Sequence, residues 1–81
     1  MKPAYPSTLA KAGIEGRVVV RFVVDTDGRV ELPSVRVVES SQRYFLESVL
    51  KALPRMRFLP AVKGGRKVRQ LVEEPFNFNM P

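Results

Sequence analysis

Between Gly16 and Asp25 every second residue is bulky and apolar. Val18, Val20, Phe22 and Val24 share one parity, and Arg17, Val19, Arg21, Val23 and Asp25 share the other. A period of two, rich in β-branched residues, describes a half-buried strand of an antiparallel sheet. The next four residues, Asp25-Thr26-Asp27-Gly28, form a tight turn in which Gly28 can take positive φ. The chain must therefore double back. Arg29 to Ser40, carrying Val30, Leu32, Val35, Val37 and Val38, reads as the returning strand. Pro33 lies inside it, which predicts an edge position or a bulge.

The period then changes. Phe45, Leu46, Val49, Leu50 and Leu53 fall on one stripe of an α-helix, with Arg43, Glu47 and Lys51 opposite. Ser40 and Ser41 are candidate N-caps, and Pro54 ends the helix. Near the amino end, Met1 to Pro6 holds two prolines and reads as extended. Ser7 to Ala12 reads as a two-turn helix with Ser7 as its cap and Gly13 as its stop. After the long helix, Met56 and Phe58 are expected to plug the core from a connector, Lys63-Gly64-Gly65-Arg66 to turn, and Lys67 to Asn79 to form a third strand. In that strand Val68, Val72, Phe76 and Phe78 share a parity with Gln70 and Glu74, and Pro75 follows. Polar residues on the core parity beside a proline mark an edge strand.

The expected fold is α+β, in the order helix, strand, strand, helix, strand. A right-handed crossover through the helix lays the third strand beside the first, antiparallel to it. One domain over residues 7–81 follows an extended segment over 1–6. One sheet face is covered by the long helix. The other is open, or partly covered by the short first helix.

The residue inventory narrows the chemistry. The 81 residues include no cysteine and no histidine. Disulfides, Cys/His zinc sites and His-based triads are thereby excluded within this chain, and no cofactor is expected. Asp25 and Asp27 are a carboxylate pair, but a hairpin tip uses them for turn bonds. Glu73 and Glu74 alternate across a strand and cannot share a site. Lys63-Gly64-Gly65-Arg66 lacks phosphate-loop spacing and leads into a strand instead of a helix. No catalytic or metal-binding residue is assigned. Net charge is +6, from 14 Lys+Arg against 8 Asp+Glu. Arg17, Arg21, Arg29 and Arg36 could make a basic sheet face, so a small nucleic-acid binder is the alternative function. No aromatic alternates with those arginines to stack on bases, and nucleic acid is not the expected partner. No apolar run reaches membrane-spanning length, and Met1 to Pro6 lacks a signal-peptide core; any anchor is expected to lie outside this chain.

What remains is the sheet edge. The last strand of a three-stranded sheet leaves backbone donors and acceptors unpaired along one side, where an extended peptide can add as a fourth strand. The same edge could pair with itself in a homodimer, a structural role for the same feature.

A longer pattern runs through the chain. It begins with Tyr5-Pro6, Gly13-Ile14-Glu15-Gly16 and Val18-x-Val20-x-Phe22-x-Val24-Asp25-x-Asp27-Gly28-Arg29-Val30. It continues with Val35-x-Val37-x-x-Ser40-Ser41, Ala52-Leu53, Arg57-Phe58-x-Pro60-Ala61, Gly64-Gly65-Arg66-x-Val68 and Pro75-Phe76-x-Phe78. In this order and spacing it closely resembles the C-terminal domain of the TonB family. The resemblance implies a periplasmic energy transducer whose membrane anchor and ExbB–ExbD motor contacts belong to parts outside this chain. It implies binding of the TonB box, an extended segment of outer-membrane transporters, by strand addition to the last strand. The positions that match the peptide-binding edge are Val68, Arg69, Gln70, Leu71, Val72 and Glu73, with Tyr5 and Pro6 near the partner. A proline at Gln70 is expected to weaken binding if that amide faces the peptide. The chain departs from the family pattern at Ala4, Met56 and Glu74.

Overall fold

The computed structural model describes residues 2–81. Helix α1 (Ser7–Lys11) leads to strands β1 (Gly16–Val24) and β2 (Val30–Ser40). Helix α2 (Arg43–Ala52) runs into a 3₁₀ turn, Leu53–Arg55. Three further strands follow, β3 (Ala61–Lys63), β4 (Arg66–Val68) and β5 (Gln70–Phe78). The sheet order is β2-β1-β5, all antiparallel, as the alternation and crossover predict. β3 and β4 form a separate two-stranded hairpin.

The core parity of β1 is buried throughout. Val18, Val20 and Phe22 have no exposed surface, and Val24 is nearly covered. Phe45, Val49, Ala52, Leu53 and Met56 come down on them from α2 and the turn beyond it. Full burial of a Phe or Val side chain contributes roughly 1.5–3 kcal/mol, so this one layer holds most of the apolar stabilisation available to so short a chain. The aromatic end is closed by Phe45 stacked on Phe78 at 4.3 Å, with the Tyr5 ring edge-on to both at 5.6 Å. At the other end Phe58 tilts against Phe22 at 5.5 Å, and its N–H donates to the Gly28 carbonyl at 2.8 Å. Met56 and Phe58 are thus the plugs expected of the connector. Leu9 of α1 joins the same cluster, so both helices serve one face. The second face carries the odd residues of β1.

Local details differ from the sequence expectations in three places. The cap of α1 is Pro6, which has no side-chain donor or acceptor to offer; Ser7 is already helical. Gln42, not Ser40 or Ser41, caps α2, its Oε1 accepting the Tyr44 N–H at 3.0 Å. Ser41 is used elsewhere: its Oγ accepts the Arg17 N–H at 2.9 Å and extends the β1–β2 ladder. The expected strand Lys67–Asn79 is divided, because Arg66–Val68 folds back on Ala61–Lys63 before β5 begins at Gln70. The stop at Gly13 is as expected. With φ at +67°, it lets Gly13 and Ile14 donate to Ala10 and Leu9, which satisfies the last carbonyls of α1.

Pro33 sits in a bulge, as anticipated. The β1–β2 register shifts between Arg21 and Val23, and again between Val19 and Val20. At the first shift Ser34 Oγ accepts the Val23 N–H at 2.8 Å, replacing the missing strand partner.

Candidate functional site

The sheet ends in two edges, and they are not equivalent. β2 is interrupted by two register shifts and by Pro33, devices that spoil a template for pairing. β5 follows β1 through nine consecutive pairs, from Gly16–Phe78 to Val24–Gln70, without a break. Among the described residues, no strand pairs with its outer flank.

The hydrogen bonds of β1 fix which β5 residues use that flank. Arg17 bonds Ser41, and Val23 bonds Ser34, so the odd residues of β1 direct their backbone groups toward β2. The even residues therefore face β5. Alternation in an antiparallel pair then commits Gln70, Val72, Glu74, Phe76 and Phe78 to β1. Leu71, Glu73, Pro75 and Asn77 turn theirs outward. Pro75 supports this independently: it has no N–H, and in a strand proline belongs where the donor would face solvent. The free edge thus offers N–H groups at Leu71, Glu73 and Asn77, and a carbonyl at all four positions.

The expected site residues are placed as follows. Val68 lies in β4 opposite Ala61, and Arg69 links β4 to β5. Gln70 and Val72 are on β5 but give their backbone groups to β1. Leu71 and Glu73 present theirs to solvent. The Gln70 amide therefore does not face an added strand, and a proline there would test the ladder to β1 instead. Pro75 and Asn77 extend the edge beyond the expected range. The signal that could have found them was Pro75 itself, whose missing donor sets the parity of the whole strand.

Charged side chains beside the edge are drawn across the open face. Arg69 clasps Glu31 of β2 with two bonds, 2.6 and 2.7 Å. That clasp holds the Glu31 carboxyl below its ordinary pKa and raises the Arg69 guanidinium. Glu73 accepts from Arg21 at 2.9 Å, and Glu39 lies 3.6 Å from Arg17. The basic face expected of Arg17 and Arg21 is to that extent neutralised. The ion pairs pull side chains inward over the sheet and leave the outer backbone of β5 uncluttered. Leu71 stays 63% exposed.

At the Phe78 end the edge becomes one wall of a groove of about 420 Å³. Pro75 to Asn79 form that wall, and Lys2, Pro3 and Tyr5 form the other. Tyr5 is fixed there by its two ring contacts and by its hydroxyl, which donates to the Ile14 carbonyl. Burial of its ring, and then the Glu15 carboxylate, raise its phenol above the ordinary value. Pro6 instead lines a separate hollow with Ala4, Tyr44, Glu47, Ser48 and Lys51 beside α2. Tyr5 and Glu73 consequently mark opposite parts of one edge. Phe78 lies five residues beyond Glu73, roughly 17 Å of strand.

No group of three acidic side chains that could hold a metal gathers among the described residues. No helix among them is long and apolar enough to cross a membrane.

Comparison with known proteins gives the same architecture a lineage. Residues 1–80 match the family described as Gram-negative bacterial TonB protein C-terminal. Protein TonB of Pseudomonas aeruginosa is 38% identical over 79 residues, covering 96% of this chain and 22% of that protein. Protein TonB of Yersinia enterocolitica is 37% identical over 71 residues, covering 88% of this chain and 27% of that one. The chain therefore spans about a quarter of the length of the curated relatives it matches. The solution NMR structure of the Pseudomonas aeruginosa TonB C-terminal domain superposes with a TM-score of 0.80 at 37% identity, covering 99% of this chain and 80% of that one. By sequence and by fold, this chain belongs to the TonB C-terminal family.

Proposed function

We propose that this chain is the partner-binding module of a periplasmic energy transducer, and that it takes an extended TonB-box segment of an outer-membrane transporter as a fourth strand on β5. The observation that carries the reading is the unbroken, unoccupied flank of β5, with outward amides at Leu71, Glu73 and Asn77. Strand addition needs such a flank and no catalytic group. The guest runs from Leu71 toward the groove walled by Tyr5, so its side chains meet Leu71 and Pro75 on one face and Val72 and Phe76 on the other. A segment of about seven extended residues, at roughly 3.3 Å each, spans that length. Force from an ExbB–ExbD motor would arrive through parts of the protein outside this chain. Backbone bonds loaded along the strand share the tension, which suits a module built to pull.

Proline substitution tests the assignment position by position. Leu71→Pro and Asn77→Pro each remove one outward donor and spare the ladder to β1. Each is expected to weaken a TonB-box peptide by on the order of tenfold, the worth of about one hydrogen bond, with the fold unchanged by NMR. Val72→Pro breaks the inner ladder and is expected to destabilise the domain itself. Undiminished peptide affinity in both outward variants would refute strand addition at β5.

A further inference from the structure

The net charge of this chain has one address. Residues 55–69 contain Arg55, Arg57, Lys63, Arg66, Lys67 and Arg69 and no acidic residue. Removing those six from the 14 Lys and Arg leaves eight, against 8 Asp and Glu, so the remainder is neutral. Three of the six crowd the β3–β4 hairpin. Gly64 and Gly65, with φ of +57° and +76°, make a two-residue turn that sets Lys63 directly opposite Arg66, while Lys67 faces Val62. Like charges placed across a strand pair destabilise it. Among the described residues nothing offsets this: the ion pairs join Arg17 to Glu39, Arg21 to Glu73 and Arg69 to Glu31, and none reaches the tip.

The same projection exposes apolar surface. Val62 is 65% exposed and Leu59, just before β3, is 95% exposed. The hairpin pairs with itself and packs substantially on no other element. It leaves the sheet at the Val24–Gln70 end, away from the grooves that lie along Lys2 to Pro6. Lys63, Arg66 and Lys67 line none of these grooves, so the arrangement does not fit a small anion or a folded acidic partner that needs directed donors. A flat anionic surface asks only for cation density and shallow apolar contact, and this hairpin has both.

We infer that the β3–β4 hairpin is a docking finger that meets an anionic lipid surface tip-first, with Lys63 and Arg66 from one face of the tip and Lys67 from the other meeting headgroups, and with Val62 beside Lys67 and Leu59 before β3 giving shallow apolar contact. The site is separate from the β5 edge, and peptide binding there serves as the internal control.

Co-sedimentation with vesicles of one part phosphatidylglycerol to two parts phosphatidylcholine, against phosphatidylcholine alone, tests it at low and high salt. The 81-residue chain is expected to partition to the anionic vesicles and to be released by salt. Combining Lys63→Glu, Arg66→Glu and Lys67→Glu should lower partition at least about 100-fold, since each basic residue near such a surface contributes roughly fivefold. Leu59→Ser with Val62→Ser should lower the part that survives salt. Each variant is checked for an intact NMR spectrum of the core. No preference for anionic vesicles, or unchanged partition in the charge-reversed variant, would overturn the inference. So would equal affinity for soluble polyglutamate, which would assign the finger to an acidic protein segment.

Discussion

Gly28 shows how much one missing side chain can decide. Its φ is +82°, and a Cβ built on it would lie 2.0 Å from the Phe58 carbonyl oxygen. That carbonyl belongs to the residue whose ring closes the core against Phe22. Gly28→Ala should cost about 2 kcal/mol or more, from strain at positive φ together with the clash. Gly13 has similar φ but open space around it, so Gly13→Ala should cost only about 1 kcal/mol. Urea unfolding of both variants separates the two terms; equal losses would contradict the packing role given to Gly28. Asp25 works at the same turn. Its Oδ1 accepts the Arg29 and Asp27 N–H groups at 3.0 and 2.8 Å, and the Arg29 bond is the main cause of its lowered pKa. A carboxyl depressed by folding stabilises above its unfolded pKa, near 4, and loses that contribution as pH falls through the lower folded value. Glu31, held down by Arg69, acts in the same direction. The urea midpoint should therefore fall as pH drops below about 4, and Asp25→Asn should make that decline shallower. A midpoint indifferent to acid would show that neither bond matters to folding.

Among the elements, those with a long enough period were legible from sequence. β1 repeats its apolar residue five times if Gly16 is counted as the space Phe45 fills, and α2 shifts to a helical stripe that no strand could carry. β3 could not be seen: three residues, Ala61-Val62-Lys63, are too few to show any period. β4 was hidden differently. Val68 keeps the parity of Val72, so the alternation runs on through Arg69 although the chain changes sheets there. The cap of α2 was missed because serine is the commoner cap, and here the neighbouring strand had already claimed Ser41. Gln42→Ala should accordingly lower stability by about 1 kcal/mol and fray the first turn around Tyr44 in hydrogen exchange. A loss of that size from Ser40→Ala instead would move the cap back to the serine. Of the candidate site, the strand was readable, and Pro75, which has no donor to give β1, already carried its outward parity. The Arg17–Ser41 bond fixes the same parity.

At the scale of the molecule, a single apolar layer supports a sheet with one blunted edge and one clean one. A chain this small has little core to spare, since about 60% burial is usual at this size. Keeping β5 in unbroken register, with Pro75 alone interrupting its outward donors, is therefore a structural liability unless the edge has a guest. Pairing with a second copy would use the same amides, so a peptide and such a dimer must exclude each other. Hydrogen exchange on the free chain and on the chain saturated with a TonB-box peptide reads these amides directly. Leu71, Glu73 and Asn77 are expected to exchange freely alone and to become protected by peptide, while Val72, Glu74 and Phe76 are protected throughout. Protection of Leu71, Glu73 and Asn77 in the free monomer, or continued free exchange under saturating peptide, would contradict strand addition at β5.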